Sequence, residues 1–263
     1  MQLITNLADR LRVDKLFTSP VKSPTFKVHF AVCSYKKVEL SVAEMFARLM
    51  NCPDPKIVTK SYDGDALIDR LRSKVASRFL ETDRDILWFW DEDVISDTEN
   101  ATRMMWQMWK YDLDILGAPY PLRSETEKCF AIRTLEDKGS FPCGKGGEIH
   151  EVRYVSTGCM GIRRRVFEKM IEKEVVHRCN PQTFNVYPFF KPMEYNHNGQ
   201  WLYLSEDWAF CQRARNLGFK VHCDFGNKLG HKDGNHIYTF DDFFRKPVEK
   251  RDSFVYGVDI KFE

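Results

Sequence analysis

No run of about 20 apolar residues, the length that a membrane-spanning helix needs, occurs in this chain. Residues 1–17 are charged and have helical spacing, and they lack the apolar centre of a secretory signal peptide. We therefore expect a cytoplasmic protein with no integral membrane segment.

The chain also lacks a strong excess of charge, a zinc-binding cysteine pattern and a P-loop. Its 40 Lys and Arg residues oppose 38 Asp and Glu residues, and the formal net charge of +2 indicates no polyanionic partner. The basic residues 163–165 are more typical of a helix start or a phosphate contact than of a nucleic-acid surface. The eight cysteines include no CxxC pair. The glycine-rich residues 144–147 have the wrong spacing for a P-loop, and no Ser or Thr follows Lys145.

The most informative feature that is present is an apolar run ending in three acids. Residues 86–90 read Ile-Leu-Trp-Phe-Trp, and Asp91, Glu92 and Asp93 follow. Five large apolar residues in a row predict a strand buried on both faces, as in a parallel sheet covered by helices. Acids after such a strand lie at the carboxyl edge, where open α/β sheets bind ligands. In an extended segment Asp91 and Asp93 point the same way, and their oxygens suit a divalent cation that also binds a diphosphate.

The order of the patterns along the chain predicts an α/β fold, a single domain with a mostly parallel, Rossmann-like sheet flanked by helices. Strands are expected at residues 26–33, 56–60, 85–90, 113–117, 152–155 and 219–224, and helices at 38–50, 63–80, 97–109, 165–176 and 205–217. We expect a loop or small hairpin at 122–150 and irregular structure at 178–203. The domain is placed at residues 25–240, after a helix and linker at 1–24 and before a tail at 241–263 that packs on the core.

Capping residues and apolar stripes locate the helices more closely. Asp63 is expected to cap the helix that ends near Leu80, and Ser96 or Asp97 the next one. The Met and Trp side chains of residues 104–109 predict core packing rather than a cofactor site. Gly218 suits the position that follows a helix end.

Two further clusters can contribute to the site that the three acids suggest. Ser205, Glu206 and Asp207 fit the capped start of a helix. They also fit a general base, because a helix N-terminus keeps a carboxylate ionised. His231, beside Gly230 and beyond a predicted strand, fits either an ordinary histidine or a metal ligand.

Together these segments resemble the GT-A glycosyltransferases, in particular the broad family-2-like group, over about residues 26–233. Residues 86–93 resemble its DxD motif. Residues 157–164, Thr-Gly-Cys-Met-Gly-Ile-Arg-Arg, resemble the small-residue turn near the donor sugar and the acceptor. Residues 205–207 resemble the acidic catalytic motif, and His231 lies where many members have a late metal ligand.

The resemblance implies a nucleotide-sugar-dependent glycosyltransferase in which particular residues have roles. Mn²⁺ or Mg²⁺ would be bound by Asp93 and His231. Asp91 would bind either this metal ion or the ribose of the nucleotide. Asp207 would be the general base of an inverting transfer, with Glu206 as its substitute. The UDP- or GDP-linked donor would be bound by a larger set: Ser34, Asp63, Asp65, Arg70, Lys74, Asp91, Glu92 and Gly158.

The sequence leaves the acceptor and two other functions open. The acceptor is a glycan, a protein or a modified DNA base, the last suggested by the basic helical N-terminus and residues 163–165. The aromatic residues of 178–203 fit stacking on a sugar or a nucleobase, and they equally fit the core of a lid. A metal-dependent nuclease or phosphotransferase is an alternative because carboxylates and His also build two-metal sites. The second alternative is a catalytically inactive sugar-binding module. If the protein is an enzyme, its compact chain would suit a bacterial or viral source.

Overall fold

The computed structural model describes residues 26–34, 38–52, 55–62, 65–123, 130–135, 143–144, 147–183 and 185–240. The segments expected at 1–24 and 241–263, and the predicted donor residue Asp63, lie outside these ranges. None of the described helices combines the length and the apolar character that spanning a bilayer requires.

A seven-stranded, mostly parallel sheet forms the centre of one mixed α/β domain, as predicted. Its strands in spatial order are β2 (Lys56–Tyr62), β1 (Lys27–Cys33), β3 (Ile86–Asp91), β9 (Cys159–Arg163), β5 (Ile115–Gly117), β12 (Val221–Asp224) and β7 (Ile149–Val152). β9 and β7 pair antiparallel with their neighbours, and the other strands of this sheet run in one direction. The carboxyl ends of those parallel strands therefore share one edge.

Helices cover both faces of this sheet. The described helices are α1 (Leu40–Met50), α2 (Ile68–Leu80), α3 (Thr98–Lys110), α4 (Arg164–Glu172) and α5 (Glu206–Asn216). α1 and α3 pack on one face, and α2, α4 and α5 pack on the other. Leu87 and Phe89 of β3 point toward α2, α4 and α5, whereas Ile86, Trp88 and Trp90 point toward α1 and α3. Because strand side chains alternate between two covered faces, the whole run has to be apolar.

Local signals located α3 and the end of α5 correctly. The Asp97 carboxylate caps α3 by accepting a hydrogen bond from the backbone N–H of Asn100 at 2.6 Å. The methionines of α3 that were predicted to be core residues are fully buried, namely Met104, Met105 and Met108. Gly218 follows α5 with a φ of 89°, the left-handed conformation that a helix end favours.

The start of α2 differs from the prediction. The helix begins at Ile68, with Leu67 at the N-cap position and no side chain that caps it. The Asp65 carboxylate accepts hydrogen bonds from the Leu67 N–H at 3.2 Å and from the Arg70 side chain at 2.7 Å. Asp65 therefore fixes how the chain enters the helix, which ends at Leu80 as expected.

The glycine turn at 157–161 was expected to lead directly into a helix, but it first forms β9 in the middle of the sheet. Gly161 permits this placement, because a Cβ there would lie 2.4 Å from Cζ3 of the buried Trp88. α4 then begins at Arg164 and ends at Glu172, earlier than predicted.

The single strand expected at 152–155 is divided between two sheets. Val152 ends β7, which lies at the edge of the central sheet, and β8 (Tyr154–Val155) pairs with β6 (Ile132–Arg133). Arg153 separates the two strands.

Residues 178–203 contain a hairpin that we expected to be irregular. β10 (Met193–His197) pairs antiparallel with β11 (Gln200–Leu204). Asn198 and Gly199 connect them with φ angles of 52° and 86°. Two left-handed residues give a turn whose twist matches that of the strands, and Asn-Gly is the sequence that favours it.

A small three-stranded sheet packs beside the carboxyl edge. Its strands in order are β14 (His236–Tyr238), β13 (Gly230–Asp233) and β4 (Val94–Ile95). β4 begins directly after Asp93, so its pairing with β13 brings a late segment of the chain to the three acids.

Candidate active site

A buried arginine joins the end of β3 to the start of α5. Nη2 of Arg72, on α2, donates a hydrogen bond to Oδ1 of Asp91 at 2.7 Å, and Nη1 donates to Oε1 of Glu206. Only 5% of the Arg72 side chain is exposed. Burial opposes the charged guanidinium, but the charges of Asp91 and Glu206 outweigh burial and raise the pKa of Arg72. Asp91 of the first predicted acidic cluster and Glu206 of the second are therefore both bound by the Arg72 guanidinium.

Glu206 and Asp207 both lie in the first turn of α5, but their surroundings differ. Burial and the charge of Asp207 raise the pKa of Glu206, and the charge of Arg72 opposes this rise. Oδ1 of Asp207 accepts hydrogen bonds from Oγ of Ser205 at 2.5 Å and from the backbone N–H of Trp208 at 2.8 Å. Within the described part of the chain, Oδ2 of Asp207 accepts no hydrogen bond. Glu206 is thus held by Arg72, whereas Asp207 keeps one oxygen for a ligand.

His231 faces Asp93 across the small sheet. Nε2 of His231 lies 3.5 Å from Oδ1 of Asp93, and Nδ1 lies 2.9 Å from the carbonyl oxygen of Pro121. A carbonyl oxygen can only accept, so Nδ1 carries the proton. In the neutral ring, Nε2 therefore has a lone pair that faces the Asp93 carboxylate.

The other oxygen of Asp93 is bound by Arg123. Nη1 of Arg123 donates to Oδ2 of Asp93 at 2.7 Å. Burial disfavours the ionised carboxylate, but the hydrogen-bonding contact with His231 and the charge of Arg123 outweigh burial and lower the pKa of Asp93. An ionised carboxylate beside an imidazole lone pair is a donor set that divalent cations bind, so Asp93 and His231 fit a metal ion.

The structure corrects the predicted convergence of Asp91 and Asp93. β3 ends at Asp91, and Glu92 and Asp93 form a turn. Side chains alternate regularly only in an extended strand. Asp91 consequently contacts Arg72, and Asp93 contacts His231. No group of three or more His, Cys, Asp and Glu side chains in the described residues is placed to hold a metal ion, so Asp91 does not complete the predicted set.

Tyr120 lies between the two parts of the site. Its ring packs edge-on against the His231 ring, with centroids 5.1 Å apart, and burial raises the pKa of its hydroxyl. A Cβ added to Gly158 would lie 2.3 Å from this hydroxyl. The Gly158 carbonyl accepts a hydrogen bond from the backbone N–H of Asp91 at 3.1 Å. Gly158 thus lies at the site, and its lack of a side chain makes room for Tyr120.

Ser34 and Glu92 lie next to Asp91 at the carboxyl edge. Cys33 of β1 is in register with Asp91 of β3, so Ser34 and Glu92 are the next residue along each strand. Ser34 is buried, and its backbone N–H donates to the Tyr62 carbonyl at 2.9 Å. Both predicted donor residues are therefore positioned beside Asp91, one of the two carboxylates that Arg72 binds.

Asp65, Arg70 and Lys74 form a separate cluster beyond the end of β2. Asp65 makes ion pairs with Arg70 at 2.7 Å and with Lys74 at 2.8 Å. The hydrogen bond from Arg70 is the main reason why the pKa of Asp65 is lowered, although burial opposes it. The structure brings these three predicted donor residues together, with the single carboxylate of Asp65 between two cations.

The basic residues 163–165 are used inside the fold, at the start of α4. Arg163 donates to backbone carbonyls at the end of α3, and Arg164 donates to those at and beyond the end of α2. Arg165 pairs with Asp112 and Asp114. Cations suit the C-terminal ends of helices. Residues 163–165 therefore lie at a helix start, one of the two placements that the sequence offered for them. Their side chains bind groups within the fold, so they give little support to a modified-DNA-base acceptor.

Our sequence interpretation assigned no role to Arg72 or Tyr120, and it included Arg123 only among the Lys and Arg residues of 123–147 that could cover the donor phosphates. A signal for Arg72 exists, because it stands at helical spacing from the core residues Val75, Ala76 and Phe79. A charge on the apolar stripe of a helix has to find a buried partner. Tyr120 and Arg123 follow β5 in irregular chain, where no periodic pattern marks them.

Neither a protein-family profile nor a curated protein sequence matches the chain. Solved structures do match the chain, and the matches number 79 protein chains. The protein A197 from STIV superposes with a TM-score of 0.55 at 16% identity, covering 87% of this chain and 96% of its own. An apo UDP-glucose pyrophosphorylase gives a TM-score of 0.37 at 8% identity, covering 81% of this chain and 74% of its own. The first likeness shows a shared fold, and the second says nothing about the chemistry of this chain.

Proposed function

We propose that this chain is a metal-dependent glycosyltransferase that moves a sugar from a UDP- or GDP-linked donor to an acceptor hydroxyl, with inversion. The observation that carries the proposal is the bridge that Arg72 makes between Asp91 and Glu206. It joins the DxD-like segment to the helix that starts with the Glu-Asp pair. The bridge forms at the sheet edge where α/β proteins bind ligands.

Asp93 and His231 would hold Mn²⁺ or Mg²⁺, and the mixed carboxylate and imidazole ligands favour Mn²⁺ because Mg²⁺ prefers oxygen ligands. The bound cation would supply Lewis-acid neutralisation of the diphosphate leaving group. Pro121 keeps the Nε2 lone pair of His231 available by accepting the Nδ1 proton. Arg123 adds a positive charge on the same carboxylate, beside the position proposed for the diphosphate.

The donor nucleotide would lie along the carboxyl ends of β1 and β3. We assign Asp91 to the ribose rather than to the metal, since its carboxylate is oriented by Arg72. Ser34, Glu92 and Gly158 adjoin it. The Asp65, Arg70 and Lys74 cluster would contact the nucleotide base or phosphates, with the exposed side of Arg70 nearest to solvent.

Asp207 would act as the general base. Ser205 and the Trp208 N–H orient Oδ1, which leaves Oδ2 to accept the proton of the acceptor hydroxyl as that oxygen attacks the anomeric carbon. Asp207 lies in the first turn of α5, where the positive end of the helix dipole is directed. Glu206 is a weaker candidate for the base, because Arg72 already binds its carboxylate.

The alternative functions are disfavoured for physical reasons. A two-metal nuclease or phosphotransferase needs carboxylates around cations about 4 Å apart. Asp93 and His231 supply two metal-binding side chains, and no third one in the described part of the chain is placed with them, so a second cation would lack ligands. An inactive sugar-binding module would have no need for a buried cation that orients two carboxylates.

A thermal-shift panel tests this function. UDP-glucose, UDP-N-acetylglucosamine, GDP-mannose and GDP-fucose are each added with and without Mn²⁺, to the wild type and to Asp93→Asn. We expect one donor to stabilise the wild type only with Mn²⁺, by about 2 to 3 kcal/mol at a hundredfold excess over its Kd. Equal shifts with and without Mn²⁺, or cleavage of added DNA in place of donor binding, would contradict the proposal.

A further inference from the structure

The outer face of the β10–β11 hairpin carries two bare aromatic rings. Trp201 is 69% exposed and Tyr203 is 76% exposed. They are alternate residues of β11, so they lie on the same face about 7 Å apart. Isolated apolar side chains on a surface are ordinary, but two large neighbouring rings on one face form an exposed patch that is typical of a binding site.

The hairpin holds these rings on a firm support. Tyr195 and Leu202, on its inner face, pack against the main core. Nη1 of Arg153 lies 2.8 Å from Nε2 of His197. Trp201 is therefore exposed although the hairpin that carries it packs against the core.

The hairpin also answers the question that the sequence left open about aromatic residues 178–203. Phe189 and Phe190 are fully buried core residues, and Tyr187 packs against the same core. Trp201 and Tyr203 are the exposed members of the described part of this segment. The aromatic residues thus divide into core and surface, and the surface pair faces outward.

The chemistry around the rings favours a neutral saccharide. Glu194 lies directly opposite Tyr203, and Asn196 lies opposite Trp201. Carboxylate and amide groups hydrogen-bond sugar hydroxyls, and the flat faces of aromatic rings stack on the C–H faces of sugar rings. Residues 193–204 contain no Lys or Arg. A nucleic acid would require cations for its phosphates, and stacking alone does not supply them.

The patch lies only a few residues before the proposed general base in the chain. β11 ends at Leu204, and Asp207 lies in the first turn of the following helix. The Cα atoms of Tyr203 and Asp207 are at most about 14 Å apart, the extended length of four residues. Two stacking faces in a row near this base favour a chain of sugar rings over a single monosaccharide.

We propose that Trp201 and Tyr203, with Glu194 and Asn196, form an acceptor subsite that binds a neutral oligosaccharide beside Asp207. The identification of the oligosaccharide as the acceptor rests on the proposed transferase function. Its binding to the hairpin does not, because it needs neither donor nor metal.

Calorimetry without donor or metal measures the binding directly. The probes are three neutral hexasaccharides, cellohexaose, maltohexaose and N-acetylchitohexaose, with the oligonucleotide (dT)₆ as the counter-probe. The proteins are the wild type, the pair Trp201→Ala with Tyr203→Ala, the milder Trp201→Leu, and Tyr111→Ala as a matched exposed aromatic control elsewhere on the surface. Circular dichroism checks that each is folded, and light scattering gives its mass.

We expect at least one hexasaccharide to bind the wild type and Tyr111→Ala equally, and to bind the double variant about tenfold more weakly or worse. Trp201→Leu should also bind more weakly, because it keeps an apolar contact but loses the ring face. The inference is overturned if no hexasaccharide binds, if the double variant binds as well as the wild type, if (dT)₆ binds instead, or if the double variant converts a dimer to a monomer. Metal-dependent hydrolysis of nucleotide sugars by the wild type is assayed separately, so failure of the transferase proposal is distinguishable from failure of this one.

Discussion

Nε2 of His231 faces Oδ1 of Asp93 across 3.5 Å, where Asp93 lies in the turn before β4 and His231 lies on β13 of the small sheet. The other ring nitrogen is committed to the Pro121 carbonyl. When the ring is neutral, both facing atoms are acceptors, and the contact is favourable only if a cation lies between them or the ring gains a proton. The metal site proposed above rests on this relationship.

His231→Gln should weaken Mn²⁺-dependent donor binding by at least about tenfold, because it removes a ligand while keeping a polar side chain. Calorimetry with UDP- and GDP-sugars, with and without Mn²⁺, measures the effect. His236→Gln, which changes an exposed histidine of β14 in the same small sheet, is the matched control and should bind as the wild type does. Equal Mn²⁺ dependence in both variants would remove His231 from the metal site.

Arg72→Met should lower the free energy of unfolding by about 3 kcal/mol, because it leaves two partly buried carboxylates without their shared cation. Urea unfolding at pH 7 measures this change. Arg78→Met alters an exposed arginine on the same helix and should cost less than about 0.5 kcal/mol. Similar values for the two variants would show that the bridge contributes little.

Gly158→Ala should destabilise the protein by about 1 to 3 kcal/mol, because the new methyl group would overlap the buried Tyr120 side chain. Thermal and urea unfolding measure the cost in the wild type and in a Tyr120→Ala background. Truncating the ring makes space, so the two changes should show a coupling energy of about 1 kcal/mol or more. Additive costs would mean that Gly158 does not make room for Tyr120.

His29 should make the protein less stable as pH falls below 6.5. Burial, with the charges of Arg84 and Lys60, lowers the pKa of His29 from 6.5 to about 4. The unfolded chain then binds the proton more readily than the folded chain between these pH values, so stability is retained above 6.5 and lost toward 4. The expected loss between pH 7 and pH 4.5 is about 2 kcal/mol.

The difference in unfolding free energy between the wild type and His29→Gln, measured at both pH values, isolates this contribution from that of the carboxylates. His29→Gln keeps a side chain able to hydrogen-bond Tyr62, which Nε2 of His29 contacts at 2.8 Å. A difference that stays constant with pH would contradict the prediction.

Features set by neighbouring residues were predicted well from the sequence. The apolar run of β3, the Asp97 cap, the buried methionines of α3 and Gly218 each depend on a periodic or capping rule that acts within a few residues. The carboxyl edge followed from the same patterns, since acids after a buried strand have to lie there. Hence the neighbourhood of the site was predictable.

Features set by distant pairing were not predictable in the same way. Residues 157–161 were predicted to be a turn because glycines are typical of turns. In the structure, Gly161 instead lies in β9 and packs against Trp88. Asp91 and Asp93 were expected to converge, but a turn and two different long-range partners separate their roles. The Asn-Gly hairpin was the exception, because its local signal was present in the sequence and was overlooked.

The most direct test of the central claim is the rate at which nucleoside diphosphate is released from the donor identified in the thermal-shift panel, with Mn²⁺ and the best-binding hexasaccharide present. Asp207→Asn should release it at least about a hundredfold more slowly than the wild type while binding the donor equally well, because only the proton acceptor has been lost. Asp233→Asn, at the end of β13, is the control and should react at the wild-type rate. A near-normal rate for Asp207→Asn would contradict the assignment of the base and, with it, the proposed inverting transfer.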